Sequence, residues 1–361
     1  MKAFLKTVVI GLANLWFLLT VLLILLWLAA ASEQVFSDQR WLALTYLTPF
    51  WFILLFLPPI VIYLLLGKFK RPAVLFILYL VFFIGCGDVS LVRSSAFQFE
   101  NNKATQSFDA IALNLRYYSF GFDAVIKGIN EMDADLYLLS ENRISDEQLL
   151  ELRRRIAPMH FYMGQQDGTA IISRYPVLSF KEVKFPTRQA ELHRRNKFEE
   201  MHRKPLRSFV HAIIDVNGTP LHAISVRFIA GRARSREPDQ VIKFGFYFLQ
   251  EQQKEIAFFE DYMKTLEGPV IFGGDLNATP SSVVIQKINT FATDLYLQDH
   301  LWGGITFGTN FPPKTNVPIA RLDYIFAMNE VEVVRTERLD TVISDHYPVY
   351  AECRIPRQPE E

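Results

Sequence analysis

The chain has 361 residues, 38 basic and 38 acidic side chains, and a half-hydrophobic composition. Its length allows two domains, its balanced charge neither marks nor excludes a polyanionic partner, and two cysteines exclude a disulfide-framed scaffold. The apolar residues are unevenly spread, in three runs near the N-terminus. Thr7 to Ala31 and Trp41 to Leu66 contain no charged residue, and Pro72 to Val92 is interrupted only by Asp88. The first two exceed the roughly 20 residues that cross a bilayer core. The first is also longer than the roughly 7–15 residues of a signal-peptide core, so it reads as a retained anchor. Lys2, Lys6 and "GKFKR" (67–71) place the basic loops in the cytoplasm. The chain then runs in, out, in, out. Residues 1–93 form an all-α transmembrane region with helices at about 7–31, 41–66 and 72–92, and 94–105 is a linker. The residues beyond Arg93 are expected on the outer side of a membrane.

From about residue 106 the texture changes to short strands and helices. "FDAIALNLR" reads as a strand, residues 121–135 as a helix, and "LYLLSE" as a buried strand. Ser145 and Gln148 form a capping box for the next helix. "TAIISRYPV" reads as one strand, and residues 211–228 as a hairpin turning at Asn217-Gly218. A long helix is predicted over roughly 237–267, then the strand of "GPVIFGGDLNATPSS" (268–282) and a helix after Ser281. "RLDYIFAM" with a hairpin partner "VEVVRT", and a final strand "HYPVYAECRI", complete residues 106–356, leaving a tail at 357–361. Hairpins mixed with strand–helix crossovers predict two stacked sheets with helices outside. Two basic stretches, 188–207 and "GRARSR" (231–236), are either solvated or a grip for an anionic substrate or lipid headgroups.

Polar residues recur at the ends of apolar strands: Asn114 after "AIAL", Glu141 after "LYLLS", Asp275 and Asn277 in "GGDLN", Asp323 in "RLDYIF", and Asp345-His346 in "SDHYPV". On an extended strand, positions 275 and 277 share a face; an Asx-type turn is the structural alternative. Each residue alone has a local explanation, but their recurrence at separate strand ends predicts one shared site. Several oxygen donors suit a hard cation, Mg²⁺ or Mn²⁺, better than zinc.

The series "LNLR", "LLSEN", "GTAIISRYPV", "GGDLNATPSS", "RLDYIF" and "SDHYPV", in that order, resembles the endonuclease/exonuclease/phosphatase superfamily, with its deoxyribonuclease I-like and exonuclease III-like fold, over residues 106–356. The resemblance implies a four-layered α/β/β/α sandwich of two mixed sheets behind the transmembrane helices. It implies a metal held by Glu141 with Asn114 and Asp345 nearby. Asp275 would orient or deprotonate the attacking water, Asn277 would contact phosphate, and Asp323 would orient His346. Asp275 and the Asp323–His346 pair remain competing candidates for the base. Arg227 stands where many members carry histidine, and arginine grips phosphate but does not act as a general acid. The expected protein is therefore a membrane-anchored, metal-dependent phosphodiesterase, with a non-catalytic scaffold or phosphate-binding module as the alternative. Its expected partners are the bilayer and an anionic phosphodiester, nucleic acid or phospholipid; no protein partner is legible. Glycosylation at Asn277-Ala278-Thr279 would block the site, which favours a bacterial inner or cell membrane with a periplasmic or outer catalytic domain.

Overall fold

The computed structural model describes residues 2–31, 49–85, 99, 104–165, 168–188, 206–230, 238–300, 304–311 and 315–357. Nearly all of the basic stretch 188–207, and all of 231–236, lie outside these residues. The chain divides into two compact units. The first contains three apolar helices: α1 (Lys2–Ala31), α2 (Pro49–Leu65) and α3 (Lys70–Gly85). Within α1, Thr7–Leu26 is long and apolar enough to cross a membrane, the one such helix among the described residues. The expected spans 41–66 and 72–92 appear as the shorter α2 and α3; residues 41–48 and 86–92 lie outside the described set. Ile24, Phe56 and Leu75 bring the three helices together through apolar contact. A polar contact joins them as well: Asn14 Oδ1 accepts from Tyr63 Oη at 2.8 Å and from the Arg71 guanidinium.

The second unit is built on two mixed six-stranded sheets. In the first sheet, β1 (Thr105–Asn114) pairs parallel with β2 (Leu136–Ser140), across a crossover through α4 (Phe122–Met132). After α5 (Asp146–Arg155) come β3 (His160–Met163) and β4 (Ala170–Ser173). The second sheet opens with β5 (Val177–Arg188), β6 (Leu206–Val216) and β7 (Thr219–Ser225). α6 (Pro238–Met263) then carries the chain to β8 (Val270–Asp275), parallel to β7. Next along the chain come α7 (Val283–Ile288), whose residues up to Gln286 belong to the first unit, and then β9 (Thr293–Asp294), α8 (Leu295–Asp299) and the separate hairpin of β10 (Phe307–Phe311) and β11 (Thr315–Ala320). The last strands are β12 (Asp323–Met328), β13 (Glu332–Arg338) and β14 (Val349–Pro356). The sheet orders are β13-β14-β1-β2-β4-β3 and β5-β6-β7-β8-β12-β9.

Strand periodicity explains the layers. Ala110 and Ala112 of β1 face the second sheet, in one core with Leu138, Ala212, Ile271 and Ile325. The intervening Ile111 and Leu113 face outward onto Val125, Ile126 and Ile129 of α4. Both faces are covered, so the strand reads as one unbroken apolar run. On the outer face of the second sheet, Phe259 of α6 packs edge-on against Phe209, Phe228 and Phe272. The capping box forms as expected, with Ser145 Oγ accepting from Gln148 N at 3.2 Å and Gln148 Oε1 from Ser145 N at 3.0 Å. The β6–β7 turn has φ of 48° at Asn217 and 90° at Gly218, the left-handed pair that a tight hairpin requires.

Two expectations are corrected. "TAIISRYPV" is two strands, with β4 in the first sheet and β5 in the second. The chain changes sheets at Arg174–Pro176, where Arg174 N bonds Asp135 O and Pro176 O accepts from Asp215 N. "VEVVRT" is no partner of β12: it lies in β13, against β14 of the other sheet. β12 has β8 on one edge and β9 on the other, so neither edge was open to it.

Candidate active site

The site forms where the carboxyl ends of both parallel strand pairs meet. In register, Asn114 lies beside Ser140, Ser225 beside Gly273, and Asp275 opposite Asp323. Polar stitches join the sheets here: Ser225 Oγ donates to Leu139 O at 2.7 Å, and Asp275 N to Ser140 Oγ at 3.2 Å. Gly274 makes the approach feasible. Its φ is +135°, and a Cβ there would stand 2.3 Å from Val226 O.

All eight residues singled out from the sequence gather in one site: six in a linked set of hydrogen bonds and ion pairs, and Asp323 and His346 as a pair beside Asp275. Asp275 Oδ2 accepts from Asn114 Nδ2 at 2.8 Å and from Asn277 Nδ2 at 3.2 Å, while Oδ1 accepts from Asn277 N at 3.0 Å. The last bond closes an Asx turn, with Asn277 at φ 48°. β8 ends at Asp275, so the turn, rather than an extended strand, brings Asn277 back to Asp275. Arg227 lies just past β7, with Nη2 2.6 Å from Glu141 Oε1 and Nε 3.6 Å from Asp275 Oδ2. Glu141 itself sits at φ 52°, immediately after β2. Asp345 Oδ2 lies 3.1 Å from Arg116 Nη1, and Arg116 N donates to Asn114 Oδ1 at 2.8 Å. His346 Nδ1 lies 2.7 Å from Asp323 Oδ2. Asp275, Asp323 and His346 offer ligand atoms within 4.8 Å of one another, all buried.

Electrostatics here are set by burial and excess acid. Burial raises the Asp323 carboxyl above its ordinary value against the pull of His346; its Oδ1 has no hydrogen-bond donor among the described residues. Burial alone would lower His346, but Asp323, Asp275 and Asp345 outweigh it and lift the imidazole to about 9. Raised values for both partners mean that the pair tends to keep a proton. We place it on His346, which faces three carboxylates.

Several supporting residues had no local sequence signal. Thr306 Oγ1 accepts from Leu322 N at 3.1 Å and Asp323 N at 3.0 Å, fixing the start of β12 from 17 positions away. Phe307 lies against the His346 ring with centroids 4.9 Å apart. Ser140, in the quoted "LLSEN", is the hydroxyl that pins Asp275. His222, on the same strand as the approach to Arg227, stands in register with Val270, at the far end of β8 from Asp275.

Chemically, four carboxylates (Glu141, Asp275, Asp323, Asp345) face two guanidinium groups (Arg116, Arg227). Such a donor set, mostly carboxylate oxygen with one imidazole and no thiol, suits a hard cation.

No curated protein sequence matches the chain. Solved structures do. One endonuclease/exonuclease/phosphatase from Beutenbergia cavernae is 17% identical, covering 70% of this chain and 72% of that one, with a TM-score of 0.52. A family protein from Bacteroides thetaiotaomicron is also 17% identical, over 70% and 100% of the two chains, with a TM-score of 0.51. One from Bacteroides vulgatus is 16% identical over 69% and 99%, with a TM-score of 0.50. At these identities they speak for the fold. The model of the endonuclease/exonuclease/phosphatase family matches residues 111–346. The chain belongs to that family, and with it to the hydrolases of phosphoric esters.

Proposed function

We propose that the protein is a membrane-anchored phosphodiesterase that needs a divalent cation, Mg²⁺ or Mn²⁺. The observation that carries this is the convergence of Asn114, Glu141, Arg227, Asp275, Asn277, Asp323, Asp345 and His346 on one largely buried site, with more carboxylates than guanidinium groups. Buried uncompensated charge is costly, and a divalent ion is the natural complement. Glu141, Asn114 and Asp345 would hold it, and when bound it would supply Lewis-acid stabilisation of charge developing on phosphoryl oxygens.

The chain's own groups do the rest. Asp275 already accepts three hydrogen bonds and faces Arg227. That geometry suits Asp275 to orient and deprotonate the attacking water, because His346 already carries the proton of the Asp323–His346 pair and serves as a hydrogen-bond donor to a phosphoryl oxygen. Asp323 fixes the imidazole through Nδ1 and leaves Nε2 for a substrate or water atom. Asn277 and Arg227 serve as phosphate contacts, with Arg227 in place of a histidine acid. In this reading α1 is the anchor, α2 and α3 continue the bundle, and the positive-inside preference of Lys2, Lys6 and residues 67–71 supports a catalytic unit outside a bacterial inner or cell membrane.

The rival reading, a non-catalytic scaffold, has one observation in its favour: Arg227 sits on Glu141, where the cation is proposed. The test uses the full-length chain and a chromogenic phosphodiester, with Mg²⁺, Mn²⁺ or chelator, beside Asp275→Ala and His346→Ala. Metal-dependent turnover lost in both variants is expected; a folded chain inert with either metal favours the scaffold. A screen of nucleic acid against phospholipid vesicles then sorts the substrate.

A further inference from the structure

The segment after β7, residues 226–230, is buried throughout yet has no repeating structure. A buried loop must still satisfy its backbone. Val226 N donates to Gly273 O at 2.9 Å. Arg227 O accepts from Arg207 Nη2 at 2.5 Å, Phe228 O from Asn277 Nδ2 at 3.0 Å, and Ile229 N donates to Glu255 Oε2 at 2.7 Å. Four consecutive residues are thus each tied once, two of them by an ion pair. That pair is Arg207 Nε to Glu255 Oε1 at 2.7 Å, with both side chains fully buried. Thr187 Oγ1 donates to the same oxygen at 2.6 Å. One turn earlier on α6, Gln252 Nε2 donates to Asn277 O at 3.3 Å.

A buried ion pair is a weak device for stability, since an apolar pair of similar volume often serves as well or better. Here the two side chains do something an apolar pair cannot: they grip the backbone on both sides of Phe228. We propose that Arg207 and Glu255 are positioning residues, holding the 226–230 segment so that the Arg227 guanidinium reaches Glu141 and Asp275. The inference rests on the phosphodiesterase reading for its catalytic consequence but not for its structural one. It also explains Gln252 and Glu255, two of the buried polar residues of α6; a third, Glu251, pairs with Lys254.

The test compares wild type, Glu255→Gln, and the double variant Arg207→Met/Glu255→Leu, all as full-length chain. Glu255→Gln offers one carbonyl oxygen where two carboxylate oxygens served three donors. Hydrogen exchange of the peptide spanning 226–230 is expected to quicken at least tenfold in both variants. The double variant is expected to melt below wild type, since Arg227 O, Ile229 N and Thr187 Oγ1 lose their partners, and where folded to show kcat reduced at least tenfold with KM changed less. Wild-type exchange at 226–230 in Glu255→Gln overturns the inference, whether or not the double variant folds. So does a folded double variant with wild-type kcat. A wild type without turnover refutes the phosphodiesterase reading instead, and exchange alone then decides the positioning.

Discussion

Gly274→Ala probes how closely the two parallel strands of the second sheet must approach for the site to exist. The added Cβ would lie 2.3 Å from Val226 O and 2.9 Å from Ser140 Oγ, and contacts under 3.0 Å are essentially never seen. The first partner is backbone, so relief requires β8 and the segment carrying Arg227 to part by about 0.7 Å. Overpacking costs about 1–3 kcal/mol, and left-handed backbone adds about 1–2 kcal/mol for a residue with a Cβ. A loss of about 3 kcal/mol is expected, or roughly 6–12 °C in the melting midpoint. Movement of this size between Asp275 and Arg227 is expected to slow turnover roughly thirty- to a hundredfold. Gly268→Ala is the control: its φ is +81°, but nothing lies within 4 Å of the new Cβ. It should lose only about 1–2 kcal/mol and keep its activity. Urea unfolding of the full-length chain and turnover of the chromogenic diester measure both effects. Equal losses in the two variants would refute the crowding argument.

Three further outcomes are expected. Asp323→Asn should slow turnover by roughly 10²–10⁴, the range for losing an acid that orients a catalytic histidine. Its unfolding midpoint should fall, because a buried ion pair loses one partner; unchanged turnover in the folded variant would refute the orienting role. His211 touches Tyr262 and His222, at 2.6 and 2.8 Å. Burial, then His222 and Lys181, pushes its pKa down to about 3. The unfolded imidazole, near 6.5, binds its proton first as pH falls, so this stability is complete above about pH 6.5 and drains towards pH 3. In urea titrations His211 should contribute a slope of up to about 1.4 kcal/mol per pH unit, so His211→Leu should flatten the dependence, while His222, also lowered by burial, keeps a part of it. Tyr137→Phe strips a hydroxyl that donates to Ile129 O at 2.7 Å and accepts from Ala134 N at 2.9 Å. The unpaired groups should cost about 1–3 kcal/mol, and an unchanged midpoint in chemical denaturation would contradict that.

How much of this site the sequence showed depended on how local each signal was. "GGDLN" placed Asp275 and Asn277 together correctly, but through a turn that the strand-face argument did not need. Arg227 was visible only as a departure from a pattern; its ion pair with Glu141 spans 86 positions, and nothing near either residue announces it. Thr306 and Glu255 act on backbone amides far along the chain, and an isolated threonine or a glutamate in an amphipathic helix carries no mark of that. The two misread strands share one cause. Periodicity reports that a residue is buried on a pleated surface, but not which of two stacked sheets supplies that surface.

The site draws on strands of both sheets and the segments that flank them: Asn114 of β1, Glu141 after β2 and Asp345-His346 before β14 on one side, Arg227 after β7, Asp275 of β8, Asn277 after it and Asp323 of β12 on the other. It therefore exists only while the sheets are docked, and a phosphate product held by Asn277 or Arg227 on one side and His346 on the other would act as a fastener between them. Occupancy at a hundred times Kd would add about 2.7 kcal/mol to the docked state. Substitutions that loosen the sandwich far from the site should then be rescued by ligand, and those that loosen the helix bundle should not.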